Sequence, residues 1–353
     1  MSQTKLWQQI VRYILVLFVA FLALFPTYWM VGMAFKPKAE WTSAAGTIYW
    51  LPQNPTLENF QTTFTEYRGK FFRGNQTSAL PAVYNSIVVS TGGTIFAVII
   101  GTLAAYGLSR FNTDTGEFPF YVALSRLLFL MVALMPFMLL YSYFGWINSW
   151  YGILSLTAVG ILADQLIGKI MALYYTRGPV GNLSFSILQL RMFPPIAIMI
   201  PVMIMWAAFN LIDTWYGLVL IYGVITFPFV VWLMKSFFDD IPQELDEAAI
   251  VDGSSHWGAF FKVVLPLAKG GLASTALFVF ILNWSDFLVA LLLTNKDWVT
   301  IPVFLNRLVS AETGQQYGPK AALGIVAAIP PIIFGIMIQR YLVRGLTFGA
   351  IKK

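Results

Sequence analysis

Between Tyr13 and Phe35 the chain carries no charged residue. As a helix that run would be about 34 Å long, enough to cross the ~30 Å hydrocarbon core of a bilayer. Similar runs recur along the sequence, and this recurrence limits the fold more than any other feature. Inside a bilayer every backbone N–H and C=O must be satisfied within the protein, which leaves helices or closed barrels. Runs this long and this continuously apolar are helical in character. Composition agrees: 58% of residues are hydrophobic and 11% charged, where soluble domains carry roughly a quarter charged residues. The chain reads as an all-α polytopic membrane protein.

The apolar blocks predict about eight transmembrane helices, near residues 13–35, 83–108, 118–144, 151–175, 191–209, 217–234, 271–293 and 321–341. Lys5 and Arg12 precede the first block, which is too long for a signal-peptide core and is expected to be a span. An even number of spans puts both termini on one side. The excess of lysine and arginine on that side predicts that it is the cytoplasm. Trp146, Trp150 and Tyr151, between the third and fourth blocks, suit a membrane interface.

Several functions are excluded by what is missing. There is no cysteine and one histidine, His256, so thiolate chemistry and a histidine-rich metal site are ruled out. The net charge of +6 is spread over span ends, which fits anionic lipid and not nucleic acid. The glycine pairs Gly92-Gly93 and Gly270-Gly271 lack the lysine and hydroxyl of a phosphate-binding loop. No nucleophile elbow is present. We expect no catalytic residue, no metal and no ATP hydrolysis in this chain.

The strongest interruption of the apolar pattern is residues 241–267, IPQELDEAAIVDGSSHWGAFFKVVLPL. Pro242 and the acids Asp239, Asp240, Glu244, Asp246, Glu247 and Asp252 favour a helix start. Gly253 supplies a helix stop, and Ser254 or Ser255 a cap for a second short helix, which Pro266 is expected to end. Ala248 and Ala249 leave a low surface where another protein could approach. The stretch reads as a helix–turn–helix docking device outside the membrane.

Ionisable residues within spans cost roughly 2.5–3.5 kcal/mol each on insertion scales and need a reason. Arg126 and Asp164 fall at similar depths in the third and fourth blocks, where an ion pair could join them; facing a partner subunit or water is the other option. Lys169 would snorkel to the cytoplasmic side. In the seventh block, Asn283-Trp284-Ser285-Asp286-Phe287 form a polar patch. They either bond to neighbouring helices or line a path for a hydroxylated solute. Trp206, Asn210 and Tyr222 are further candidates for that path, although packing explains them as well.

The spacing within the docking stretch carries a resemblance. Glu247-Ala248-Ala249, three residues, Gly253, nine residues, then Val263-Val264-Leu265-Pro266 resembles the coupling-loop signature of bacterial ABC importer permeases, E-A-A, three residues, G, nine residues, I-x-L-P. Only Val263 departs from it. Residues 228–242 and 339–353, Phe25 to Trp29, Ala104 to Phe111 and Arg191 to Pro195 resemble the carbohydrate-type permeases, in particular the maltose-type second subunit. The resemblance covers residues 1–111 and 183–353 and implies a six-helix core. Residues 112–182 would then be an inserted two-span hairpin, with the coupling loop at 235–270. It implies a bacterial plasma-membrane protein that imports a sugar, polyol or related solute. The implied partners are a second permease subunit, two ATP-binding subunits holding ATP and Mg, and an extracytoplasmic solute-binding protein. Glu247, Ala248, Ala249, Asp252, Gly253, Leu265 and Pro266 would meet the ATPase, while Asp239, Asp240 and Asp246 would be caps or a solvated face. The competing reading is an ATP-independent carrier or channel, in which Asp164 and Asp286 relay protons.

Overall fold

The computed structural model describes residues 6–41, 48–65, 78–110, 195–310 and 314–349. The expected spans at 118–144 and 151–175, with Arg126, Asp164 and Lys169, lie outside the described residues. Among those described, four helices are long and apolar enough to cross a membrane, and a bent helix pair makes a possible fifth. Apart from one antiparallel pair, β1 (Val309–Ser310) and β2 (Gly314–Gln315), the regular structure is helical. The chain is an all-α, multi-pass membrane protein.

It forms two compact units. One comprises residues up to Asn85 together with Val299–Ile333. Here α1 (Leu6–Ala34) ends against the start of α11 (Tyr317–Gly349), where Ala34 packs on Ala321 and Ala322. Ala34 and Lys36 carbonyls at the end of α1 both accept from the Asn59 amide of α2 (Glu58–Phe64) at 2.8 Å. Such carbonyls have no partner within the helix, so Asn59 closes its C-terminus. Lys36 is buried, donates to the Tyr49 carbonyl and lies 4.4 Å from the centre of the Trp29 ring. Its charge is thus met by a carbonyl dipole and a π face. Asn85, at the start of α3 (Leu80–Arg110), donates to Val299 just before α10 (Ile301–Arg307). The most apolar stretch of α1 is unburied in this chain, as a face turned to lipid or another subunit would be.

The other unit comprises Ser86–Trp298 and Phe334–Lys353. It holds most of α3, then α4 (Pro195–Ala208), α5 (Trp215–Asp239), α6 (Glu244–Val251), α7 (His256–Leu267), α8 (Lys269–Trp284) and α9 (Leu288–Leu293). Small residues set the α3–α5 distance: a Cβ on Gly101 would lie 2.7 Å from the Val230 side chain, and one on Gly93 2.8 Å from the Tyr222 Cβ. Close backbone approach of this kind is a common way for membrane helices to gain packing contact. Two buried clusters result. One, around Leu108, Met234, Phe238, Phe260 and Val264, sits where α3 and α5 finish. The second, around Val89, Met199, Trp206, Tyr222 and Leu293, sits near the start of α5.

Two expectations need correction here. The span expected at 271–293 is not continuous: α8 stops at Trp284 and α9 begins at Leu288. Ser285 bonds back to the Ile281 carbonyl at 2.6 Å, a local bond that competes with helix continuation. Nor does Pro266 end the second short helix. α7 runs past it, and the 76° bend into α8 falls at Ala268. Proline clashes with the carbonyl four residues back. The preceding turn, Phe260–Val264, widens into a π-helix, which makes room for the ring without breaking the rod.

Candidate functional site

The docking stretch folds as two short helices around a tight stop. Gly253 has φ +87°, the left-handed region that favours glycine. Its N–H donates to the Ile250 carbonyl and the Ser254 N–H to that of Ala249, both at 2.9 Å. This is the double-bonded C-terminal stop that a positive-φ residue permits. Ser255 caps α7, accepting from the Gly258 N–H at 3.1 Å. The turn expected at Gly253 and the serine cap are therefore present, with Ser255 as the cap.

Burial then sorts the motif residues. Ala249 faces inward, while Glu247, Ala248, Asp252, Gly253 and Pro266 are exposed and Leu265 is half-buried. Beside Glu247 the outer face is unusually apolar for a segment outside the spans: Val251 is 86% exposed, and Trp257 and Phe261 stack at 6.1 Å, both open. Apolar surface of this kind, ringed by Glu244, Glu247 and Asp252, suits a protein pocket more than water.

Asp246 departs from the expected solvated face. It is 7% exposed and lies between two residues of α3. The Arg110 Nε is 2.7 Å from its Oδ2, and the Tyr106 hydroxyl donates to its Oδ1 at 2.7 Å. Arg110 also donates to the carbonyls of Phe238 and Ile241 at 3.1 Å each. Those carbonyls belong to the end of α5 and the joint after it, where a cation is favoured by the helix dipole. Gln243 donates to the Ser109 carbonyl at 3.3 Å. The Tyr106 ring packs between Phe238 and Phe260, at 5.7 Å and 4.6 Å. Asp239 remains at the surface, accepting from Lys235 at 2.6 Å and Ser109 at 2.7 Å. Sequence spacing could not single out Asp246 among six acids. The available signal was that Tyr106 and Arg110 lie four apart, on one face of α3.

A second polar cluster lies within the helices. The Asn283 amide donates to Thr94 Oγ1 at 3.3 Å, and the Tyr222 hydroxyl to Asp286 Oδ2 at 3.0 Å. Asp286 also accepts from the Ala290 N–H at 3.2 Å, so its carboxylate caps the start of α9 across the break. Trp284 is buried and stacks on Phe280 at 5.6 Å. Asn283, Tyr222 and Asp286 thus come together around the α8–α9 break. Trp206 instead donates to the Gly217 carbonyl at 3.1 Å, and Asn210 is exposed at the α4–α5 turn with φ 55°. At that turn Asp213 accepts from the backbone N–H groups of Lys296, Asp297 and Trp298 at 2.8–2.9 Å. Burial pushes its pKa up, but these backbone bonds, with one from Asn295, outweigh it and hold the carboxyl below its ordinary value. Among the described residues no group of His, Asp and Glu could hold a metal ion.

At one end of this helical membrane chain stands an exposed helix pair braced from within by α3. The comparisons give the family. The model described as "Binding-protein-dependent transport system inner membrane component" matches residues 165–348, just over half the chain. The trehalose transport system permease protein SugB of Mycobacterium tuberculosis is 32% identical over 332 residues, covering 94% of this chain and 93% of that protein. The probable ABC transporter permease protein y4oR of Sinorhizobium fredii is 40% identical over 172 residues, 49% of this chain and 62% of the relative's length. A crystal structure of a bacterial ABC transporter involved in import of the acidic polysaccharide alginate aligns with a TM-score of 0.61. It covers 97% of this chain and 99% of that one at 19% identity, a likeness of fold. The chain belongs to the binding-protein-dependent transport system inner membrane component family. It is the permease subunit of an ABC importer, a transporter component and not an enzyme.

Proposed function

We propose that the chain is one of two permease subunits in a bacterial plasma-membrane importer of a sugar, polyol or related solute. Its eight spans, inserted hairpin included, leave both termini in the cytoplasm. Two separate ATP-binding subunits hold ATP and Mg and dock on the α6–α7 pair. An extracytoplasmic solute-binding protein delivers the solute from the other side. Trehalose transport by the relative SugB supports the carbohydrate class. The observation that carries the docking assignment is the exposed face of Glu247, Val251 and Trp257 on a helix pair anchored from within by Asp246.

Alternating access follows from that geometry. Closing of the ATPase pair moves the α6–α7 segment, and α3, α5 and α8 carry the motion to the cluster of Asn283, Tyr222 and Asp286, where a hydroxylated solute passes. Free energy reaches the solute path only if the docked contacts differ between the two states. Glu247→Lys tests the docking site: the ATPase subunits should no longer co-purify although the permease still inserts. Normal co-purification together with normal uptake would refute it.

A further inference from the structure

Three elements meet at the end of α3, and one side chain bonds to all of them. Arg110 reaches the Phe238 carbonyl in the last turn of α5, the Ile241 carbonyl in the joint, and the Asp246 carboxylate in the first turn of α6. The joint between α5 and α6 is short, spanning only residues 240–243. Unbraced, a joint of that kind could absorb movement of α6 by changing its own backbone angles, and the helices behind it would stay still. Arg110 holds both sides of it and its middle. Tyr106, one turn earlier, fixes the other carboxylate oxygen of Asp246 and wedges its ring between Phe238 and Phe260. The planar guanidinium presents several donors in a fixed fork, which a lysine could not reproduce.

We propose that Tyr106, Arg110 and Asp246 form a clamp that locks the α5–α6 joint, so that movement imposed on the docking helices passes undiminished into α3 and α5. These are positioning residues: they touch neither the docking partner nor the solute. The inference rests on the α6–α7 pair being the ATPase-docking site. It assigns the transmission step to a buried ionic contact, distinct from the exposed motif face.

The chain has no cysteine, so two can be introduced for spin labels without background. Leu245→Cys marks the start of α6 away from its docking face, and Trp232→Cys the part of α5 between Pro228 and the joint, both exposed. The full importer, purified with its ATPase subunits, is measured with and without vanadate-trapped ATP. With the clamp intact the inter-label distance keeps one narrow distribution in both states. In Arg110→Met/Asp246→Leu, which removes the charges while filling the space, trapping ATP should shift or broaden it by roughly 2–5 Å, the size of helix movements at interfaces. Tyr106→Phe should give a smaller change of the same kind. A purely structural role would lower thermal stability without making the distance depend on nucleotide. The clamp is overturned if both variants, with ATPase bound, keep the unvaried distribution. If Glu247→Lys leaves ATPase co-purification and uptake unchanged, the docking reading fails instead. Should the double variant fail to assemble, Tyr106→Phe decides alone, because it keeps the ion pair.

Discussion

Replacing Gly253 by alanine isolates one backbone requirement of the docking turn. A Cβ at this position would meet no heavy atom within 4 Å, so the cost is conformational and not steric. Holding an L-residue in the left-handed region costs roughly 1–2 kcal/mol. Alanine has less freedom than glycine in the unfolded chain, which returns about 0.4–1 kcal/mol. The net loss is ~0–1.6 kcal/mol, about 0.8 at the midpoints of those ranges, a change of about 4-fold in the local opening equilibrium. The affected bonds are those from Gly253 N–H to Ile250 and from Ser254 N–H to Ala249. Amide hydrogen exchange on the purified importer should therefore show faster exchange at residues 253 and 254 by that factor. The α3 amides should be unchanged. Asparagine tolerates the left-handed region better than alanine, so Gly253→Asn should recover much of the protection. Equal exchange in the parent and Gly253→Ala, or alanine outperforming asparagine, would refute the reasoning.

Three further outcomes follow from named contacts. Removing one member of a buried ion pair costs roughly 3–5 kcal/mol. Because Arg110 keeps two carbonyl acceptors and Asp246 would keep only Tyr106, Arg110→Leu should lower the thermal unfolding midpoint more than Asp246→Leu. The reverse order would contradict the bonding described. Tyr222→Phe deletes one hydrogen bond to Asp286 and should cost about 1–3 kcal/mol. In a double-mutant cycle with Asp286→Ala the effects should fall short of additive, and full additivity would deny the contact. Asp213 has a depressed carboxyl pKa when folded, so its contribution to stability is complete above the unfolded value of ~3.9. That contribution is lost as pH falls through the lower folded value. Protection of the amides at 296–298, corrected for intrinsic rates, should persist at pH 5, disappear only below pH ~4, and be absent at every pH in Asp213→Ala.

The sequence showed most clearly what local rules decide. Helix character followed from uninterrupted apolar runs, because a bilayer leaves the backbone no other partners. The stop at Gly253 and the cap at a serine followed from backbone preference alone. What escaped was decided by tertiary contact. Asp246 is one of six acids in its segment, and only the arrival of Arg110 and Tyr106 from more than a hundred residues away makes it buried. The break after Trp284 is hidden in a run apolar enough to look continuous; it depends on Ser285 turning back on Ile281 and Asp286 capping α9. Pro266 misled for a related reason. The five-residue π-turn Phe260–Val264 relieves the clash that would have ended the helix. Within the polar path, spacing proposed six residues, and the fold gathers Asn283, Tyr222 and Asp286 while Trp206 and Asn210 serve the α4–α5 end.

The two sites are connected by covalent geometry before any network of contacts is invoked. From Phe238 to Tyr222 along α5 is about 24 Å, and from Arg110 to Gly93 along α3 about 26 Å, at ~1.5 Å per residue. Helices of this kind carry a displacement from the docking end to the polar cluster as rods, so no chain of side-chain rearrangements is required. Pro228 lies between the two ends of that path in α5. Its missing N–H leaves the Val224 carbonyl without its usual donor, and its ring opposes that same carbonyl. Thr226 adds a side-chain bond to the Tyr222 carbonyl at 2.7 Å, a contact that also tends to bend helices. The softest point of the rod therefore lies one to two turns from the solute-path candidates and farther from the clamp. On the proposed mechanism, rotation delivered at the α6–α7 end would be expressed as bending beside Tyr222.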